Sequence, residues 1–191
     1  TKQKDVLLKS FAKLIDKKGY DDLYLILSLE DHDRKLYGEL QKLIDSLEIR
    51  DKVIALGYEH ERLPLLYAAS SVYCSPSIME GFGMSVQEAA AAALPAAVSR
   101  HVPFVNEYLG AASKEEGYKI KDMDSFTIGP GAIIVHKHKP EAYAAGLSWM
   151  LENKSELEAM GRRALEITIP AFTWKDSTLR LLDKLGLGDE S

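Results

Sequence analysis

Ser75-Pro76-Ser77-Ile78-Met79-Glu80-Gly81-Phe82-Gly83-Met84-Ser85-Val86-Gln87-Glu88 joins a short apolar run, residues 71–75, to an alanine-rich helix predicted over 84–94 and stopped by Pro95. A strand, a glycine turn and a helix in that order make the first half of a βαβ unit. Ala96-Ala97-Val98 supplies the second strand of that unit. Working outward toward the N-terminus, 63–69 reads as a short helix with Pro64 in its first turn, and 52–56 as a strand closed by Gly57. Leu36, Leu40, Leu43, Ile44 and Leu47 mark an amphipathic helix, and 23–27 a buried strand. Leu7, Phe11, Leu14 and Ile15 share one face of a helix over 5–18, ended by Gly19. Toward the C-terminus, Ile133-Ile134-Val135 reads as a fifth strand, followed by helices near 141–151, 155–167 and 176–185.

Strands alternate with helices, and no Asn-Gly or Asp-Gly hairpin joins them. The pattern predicts an α/β fold, a doubly wound parallel sheet with helices on both faces. Residues 111–127 mix charges, Gly117 and small side chains and read as a loop or insertion; 186–191 read as a frayed tail. The chain opens Thr1-Lys2-Gln3-Lys4 straight into a helical pattern, whereas such domains ordinarily begin on a strand, so a first strand is expected to be missing.

With 191 residues, 46% of them hydrophobic, the chain has material for one core, and we read residues 1–191 as one domain. The net charge of −5 argues against nucleic acid as the main partner. Cys74 is the single cysteine, so no internal disulfide forms, and a reducing, cytoplasmic location is expected. No apolar run reaches the roughly 20 residues needed to span a bilayer, and no cationic-then-apolar signal segment opens the chain.

The quoted turn sits where this fold binds ligands, outside a strand's carboxyl end. Gly81 and Gly83 leave backbone amides unshielded, and the helix just beyond them presents free N–H groups and a positive dipole end to a phosphate. Glu80 precedes the turn and Glu88 lies about one turn into the helix; a carboxylate accepts hydrogen bonds from neighbouring hydroxyls such as those of a ribose or hexose. The same residues also fit a plainer account: a common Gly-x-Gly turn, a solvated loop charge at Glu80, and an acidic residue in a helix's first turns at Glu88.

Glu80 and Glu88, with seven residues between them, together with Pro76-Ser77 and Gly81-Phe82-Gly83, resemble the E-x7-E signature of retaining group 1 glycosyltransferases. Gly57-Tyr58 with Leu63-Pro64-x-Leu66-Tyr67-Ala68-Ala69 on one side, and Leu94-Pro95 with Ser99 on the other, extend the likeness. Nearly the whole chain is similar to the C-terminal, donor-binding domain of the two-domain GT-B architecture, with sucrose-phosphate synthases and related transferases as the nearest branch. The resemblance implies that Glu88 holds the nucleotide ribose and Glu80 contacts the donor sugar as the catalytic-site carboxylate. It implies that the amides of Phe82, Gly83 and Met84 meet sugar hydroxyls and phosphate. A basic pair, an arginine and then a lysine five or six residues on, grips the diphosphate in the family; Lys4 matches the lysine, and the arginine would fall ahead of Thr1. The N-terminal acceptor domain is expected to be absent from the chain, which alone should not turn over. One departure stands out: Ser99-Arg100-His101-Val102-Pro103-Phe104 occupies the place of two glycines, a proline and a glutamate.

Other residues read more plainly. His136 and His138 bracket a lysine just past a strand without matching ligands elsewhere, so no metal is expected. Cys74 reads as a core residue, Asp31 and Asp33 as helix caps, and Lys17-Lys18 as a solvated helix end; Phe172 and Trp174 read as packing anchors or, as the resemblance implies, contacts to another domain, and His60 and Arg62 as solvent-exposed rather than near a nucleobase. The expected activity is transfer of a sugar from a nucleotide diphosphate sugar to a hydroxyl of a sugar or sugar-phosphate acceptor, with retention and with no cofactor beyond that substrate. Two other classes fit less of the sequence: a stand-alone nucleotide-binding or regulatory module, and a nucleotide-sugar epimerase.

Overall fold

The computed structural model describes residues 2–17, 20–28, 34–57, 61–110 and 121–187. The expectations on Lys18, Gly19, Asp31, Asp33, Tyr58, His60, Gly117 and the tail 188–191 lie outside them. The elements run α1 (Lys4–Ile15), β1 (Leu25–Ser28), α2 (Arg34–Ser46), β2 (Val53–Leu56), α3 (Leu63–Ala69), β3 (Tyr73–Ser75), α4 (Met84–Ala91), β4 (Ala96–Ser99), β5 (Lys121–Asp122), β6 (Phe126–Ile128), β7 (Ala132–Val135), α5 (Pro140–Glu152), α6 (Lys154–Thr168) and α7 (Trp174–Lys184).

The strands form two sheets. β1 and β2 pair parallel with each other. The second sheet has the order β3-β4-β7-β6-β5, parallel from β3 through β7. Ala96–Ser99 and Ala132–Val135 are buried along their whole length, as central parallel strands covered on both faces must be. Helix α1 ties the two sheets together. Leu7, Leu8 and Phe11 pack with Leu27 of β1 and Leu40 and Ile44 of α2, while Val6 and Leu14 join Ala97, Ile133 and Tyr143 over the second sheet. Cys74 touches both clusters, and burial pushes its thiol up to about 12, so it is a core residue and not a nucleophile.

The far edge departs from the all-parallel expectation. β6 pairs antiparallel with β7, and β5 antiparallel with β6. Most of 111–127 that is described is therefore strand, not loop. The turn between β6 and β7 is Gly129-Pro130-Gly131, closed by Gly129 N–H on the Ala132 carbonyl at 2.9 Å, and Arg163 of α6 donates to the Pro130 carbonyl at 2.7 Å. His136 and Thr127 are hydrogen-bonded at 2.7 Å, and Thr127 donates to Asp122, so this histidine laces the antiparallel edge. Helix α4 ends at Ala91, short of the predicted 94, because Ala93 takes a left-handed φ of 57°. Phe172 packs into the core beside β4, but Trp174 is 88% exposed and anchors nothing among the described residues. Helix α7 is instead started by Thr173, whose hydroxyl accepts from Asp176 N–H at 3.1 Å. No helix among the described residues is long and apolar enough to cross a membrane.

His138 follows β7 with both ring nitrogens buried and its ring edge-on to Tyr143 at 6.2 Å. Burial, and secondarily His101, hold its pKa below the ordinary value, against the pull of Asp5. The folded state therefore keeps it neutral to lower pH than the unfolded chain, which protonates it near its usual pKa of about 6.5. Its contribution to stability is full above that pH and falls as acid is added. His138→Gln should accordingly flatten the drop in melting temperature between about pH 7 and 5.5. An unchanged slope would show that His138 does not titrate with folding.

Candidate active site

The turn between β3 and α4 is held from behind. Ser77 is fully buried and donates to the Met79 carbonyl at 3.2 Å. The Phe82 ring turns inward against Phe104 at 5.3 Å and Phe172 at 6.1 Å, and Tyr108 closes the cluster on Phe172 at 4.6 Å. Phe104 N–H donates to the Phe82 carbonyl at 2.9 Å. The bulky residues at 99–104 thus divide into two sets. Val102 and Phe104 are completely buried and back the turn, whereas Arg100 and His101 are exposed.

Gly83 begins α4 at φ 103°, and a Cβ there would lie 2.4 Å from Val102 Cγ1. The backbone thus needs glycine on two counts, conformation and space. No side chain caps α4, and its first turn carries no acidic residue, so its N-terminal amides and dipole are left for an anion. Gly81 differs: its φ is not positive and a Cβ would meet nothing within 4 Å. Nothing in the described fold requires glycine at that position. Ile78, Met79 and Met84 are exposed around the turn.

Both glutamates face partners from outside the turn. Glu80, 16% exposed, accepts from Lys2 Nζ at 2.6 Å. Glu88 is exposed and accepts from the Tyr67 hydroxyl at 3.1 Å. Lys4, the residue matched to the diphosphate clamp, donates to the Ser28 carbonyl at the end of β1, at 2.6 Å. It therefore lies at the carboxyl ends of the strands, but the cation on Glu80 is Lys2. Sequence reading missed Lys2 because no pattern assigns it; the signal was its place two residues before Lys4, just ahead of α1. It also passed over Tyr67, quoted only as part of the likeness. Among the described residues no group of three or more His, Cys, Asp or Glu is placed to hold a metal ion.

A strand, a bare-backbone turn and an uncapped helix with flanking carboxylates thus meet at the strand carboxyl ends of an α/β domain. The chain belongs to the group 1 glycosyl transferases, whose family pattern matches residues 1–166. It is 28% identical over 170 residues to an MMP α-(1→4)-mannosyltransferase of Mycolicibacterium hassiacum, covering 88% of this chain and 36% of that protein. Its fold is similar to that of Anabaena HepE in complex with UDP (TM-score 0.78, 16% identity, 97% of this chain, 45% of the other). It is similar also to sucrose-phosphate synthase from Thermosynechococcus elongatus (TM-score 0.73, 19% identity, 97% and 42%). The C-terminal domain of the group 1 protein LpcC from Francisella tularensis superposes over 91% of this chain and 81% of its own length (TM-score 0.71, 14% identity). The chain thus spans less than half the length of the mannosyltransferase and of HepE. These likenesses bear out the doubly wound, GT-B C-terminal reading of the fold.

The two glycines of the turn should respond differently to a methyl group. Gly83→Ala should lower stability by on the order of 1–3 kcal/mol, and adding Val102→Ala should recover part of that loss. Gly81→Ala should melt with the wild type yet bind nucleoside diphosphate more weakly. Thermal unfolding and titration calorimetry read both effects. Equal melting losses for the two variants would contradict the steric assignment.

Proposed function

We propose that this chain is the donor-binding part of a retaining glycosyltransferase that moves a sugar from a nucleoside diphosphate to an acceptor hydroxyl. The observation that carries the reading is the β3–α4 turn, with Glu80 before it, Glu88 one turn into the helix, and an uncapped helix start between them. The exposed Gly81 fits it, since a ligand approaching the backbone there meets no side chain.

In this reading Glu88 receives the ribose hydroxyls and the amides of Phe82, Gly83 and Met84 receive phosphate and sugar oxygens. Glu80 is the catalytic-site carboxylate that contacts the donor sugar. As the glycosidic bond breaks, negative charge builds on the leaving diphosphate. The α4 dipole, Lys4 and Lys2 stabilise that charge without a metal, and no cofactor beyond the donor itself takes part. HepE has been crystallised with UDP and with UDP-glucose, which supports a nucleoside diphosphate sugar as the donor class. The acceptor, a sugar or sugar phosphate, sits on a second domain, and the greater length of the relatives supports one. A further parallel strand runs between β1 and β3. The separation of the two sheets at that point supports it, as both strands pair on one side only among the described residues. The lone, half-buried Cys74 is consistent with a cytoplasmic enzyme.

Glu88→Ala in the full-length natural protein should weaken nucleoside diphosphate binding about ten- to a hundredfold, the worth of one or two charge-assisted hydrogen bonds. Titration calorimetry measures it. Unchanged affinity would remove Glu88 from the ribose site.

A further inference from the structure

Tyr67 lies on α3, outside the turn, yet its hydroxyl reaches two acceptors on α4. Glu88 Oε2 is 3.1 Å away and the Ser85 carbonyl 3.2 Å. Its ring is fixed edge-on against Tyr73, centroids 6.1 Å apart. The Tyr73 hydroxyl in turn donates to Ser85 Oγ at 2.9 Å. Two aromatic side chains, one from α3 and one from β3, thus grip the first turns of α4 at the level of its carboxylate. Burial first, and then the charges of Tyr73 and Glu88, push the Tyr67 hydroxyl far above its ordinary pKa, so it stays a donor throughout the physiological range.

Glu88 is exposed, and an exposed glutamate on a helix explores several rotamers. A donor anchored on a neighbouring helix holds one carboxylate oxygen and leaves the other turned outward. We propose that Tyr67 is a positioning residue: it presents the Glu88 carboxylate to the two ribose hydroxyls of the donor nucleotide, and so sets the preference for ribonucleotides over 2′-deoxyribonucleotides. This rests on the ribose role given to Glu88 above. Preorganisation of this kind raises affinity by removing an ordering cost at the moment of binding.

The consequence is selective. Tyr67 does not act through the base or the diphosphate, so its loss should be felt by a nucleotide in proportion to what its ribose gains from Glu88. A purely structural tyrosine would weaken every nucleotide alike.

The test uses the full-length natural protein and calorimetric titration with UDP, GDP and ADP, each beside its 2′-deoxy counterpart. Tyr67→Phe keeps the ring contact and removes only the hydroxyl. For the base that binds, it should weaken the ribonucleotide about three- to tenfold, weaken the deoxynucleotide, which keeps only its 3′ hydroxyl for Glu88, by less, and so shrink the ribo-to-deoxy ratio. Donor KM should rise with kcat at saturating donor unchanged. Tyr67→Phe added to Glu88→Ala should change nothing further. An unchanged ratio in Tyr67→Phe, or an equal loss for both sugars, overturns the positioning role while Glu88→Ala still shrinks the ratio. If Glu88→Ala leaves the ratio intact, or if none of the diphosphates binds, the ribose reading itself falls and the inference with it.

Discussion

The site depends on a space smaller than a methyl group. Gly83 and Val102 approach so closely that a Cβ on the glycine would overlap Val102 Cγ1 at 2.4 Å. That approach lets the chain turn at φ 103° out of the β3 loop and into α4. The turn fixes where the helix starts, hence where its amides point and which way Glu88 leaves the helix. The aromatic packing of Phe82 on Phe104 and Phe172 keeps that ring on the core side of the turn and leaves the Gly81–Gly83 backbone on the other. A site for a diphosphate needs that division, because amides bind phosphate oxygens only where no side chain intervenes.

Helix α1 supplies the complementary charges. Its core-facing residues span both sheets, so its N-terminal end is carried to the carboxyl ends of the strands, beside the turn. Lys4 opens that helix and Lys2 precedes it by two residues, and they reach different partners, the Ser28 carbonyl and Glu80. The ion pair on Glu80 neutralises a half-hidden carboxylate that would otherwise face an incoming diphosphate with like charge. In the proposed function both lysines would shift toward that diphosphate.

Much of this was legible in the residues. The order of strands and helices followed from apolar runs and 3.6-residue spacing, and 63–69 was read to the residue because Pro64 and the following apolar face both mark it. The turn stood out through two glycines between a strand and a helix, and through two glutamates whose spacing resembles the E-x7-E signature. The antiparallel edge was not legible. β6 and β7 are buried on both faces, so they show no alternation, and Gly129-Pro130-Gly131 is not one of the two-residue turns that announce a hairpin. The packing-anchor reading of Trp174 fails on its exposure, which a large aromatic near a helix start does not announce, while the reading as a contact to another domain is left standing. The roles of Lys2 and Tyr67 are contacts across 78 and 21 residues, set by tertiary packing and invisible to any local pattern.

A crystal structure of the full-length natural protein with its nucleoside diphosphate sugar tests the central claim most directly. The account predicts phosphate oxygens on the amides of Phe82, Gly83 and Met84, ribose hydroxyls on Glu88 with Tyr67 still bonded to it, and the sugar beside Glu80. A nucleotide seated elsewhere on the domain, or one that leaves Glu88 untouched at the β3–α4 turn, would contradict it.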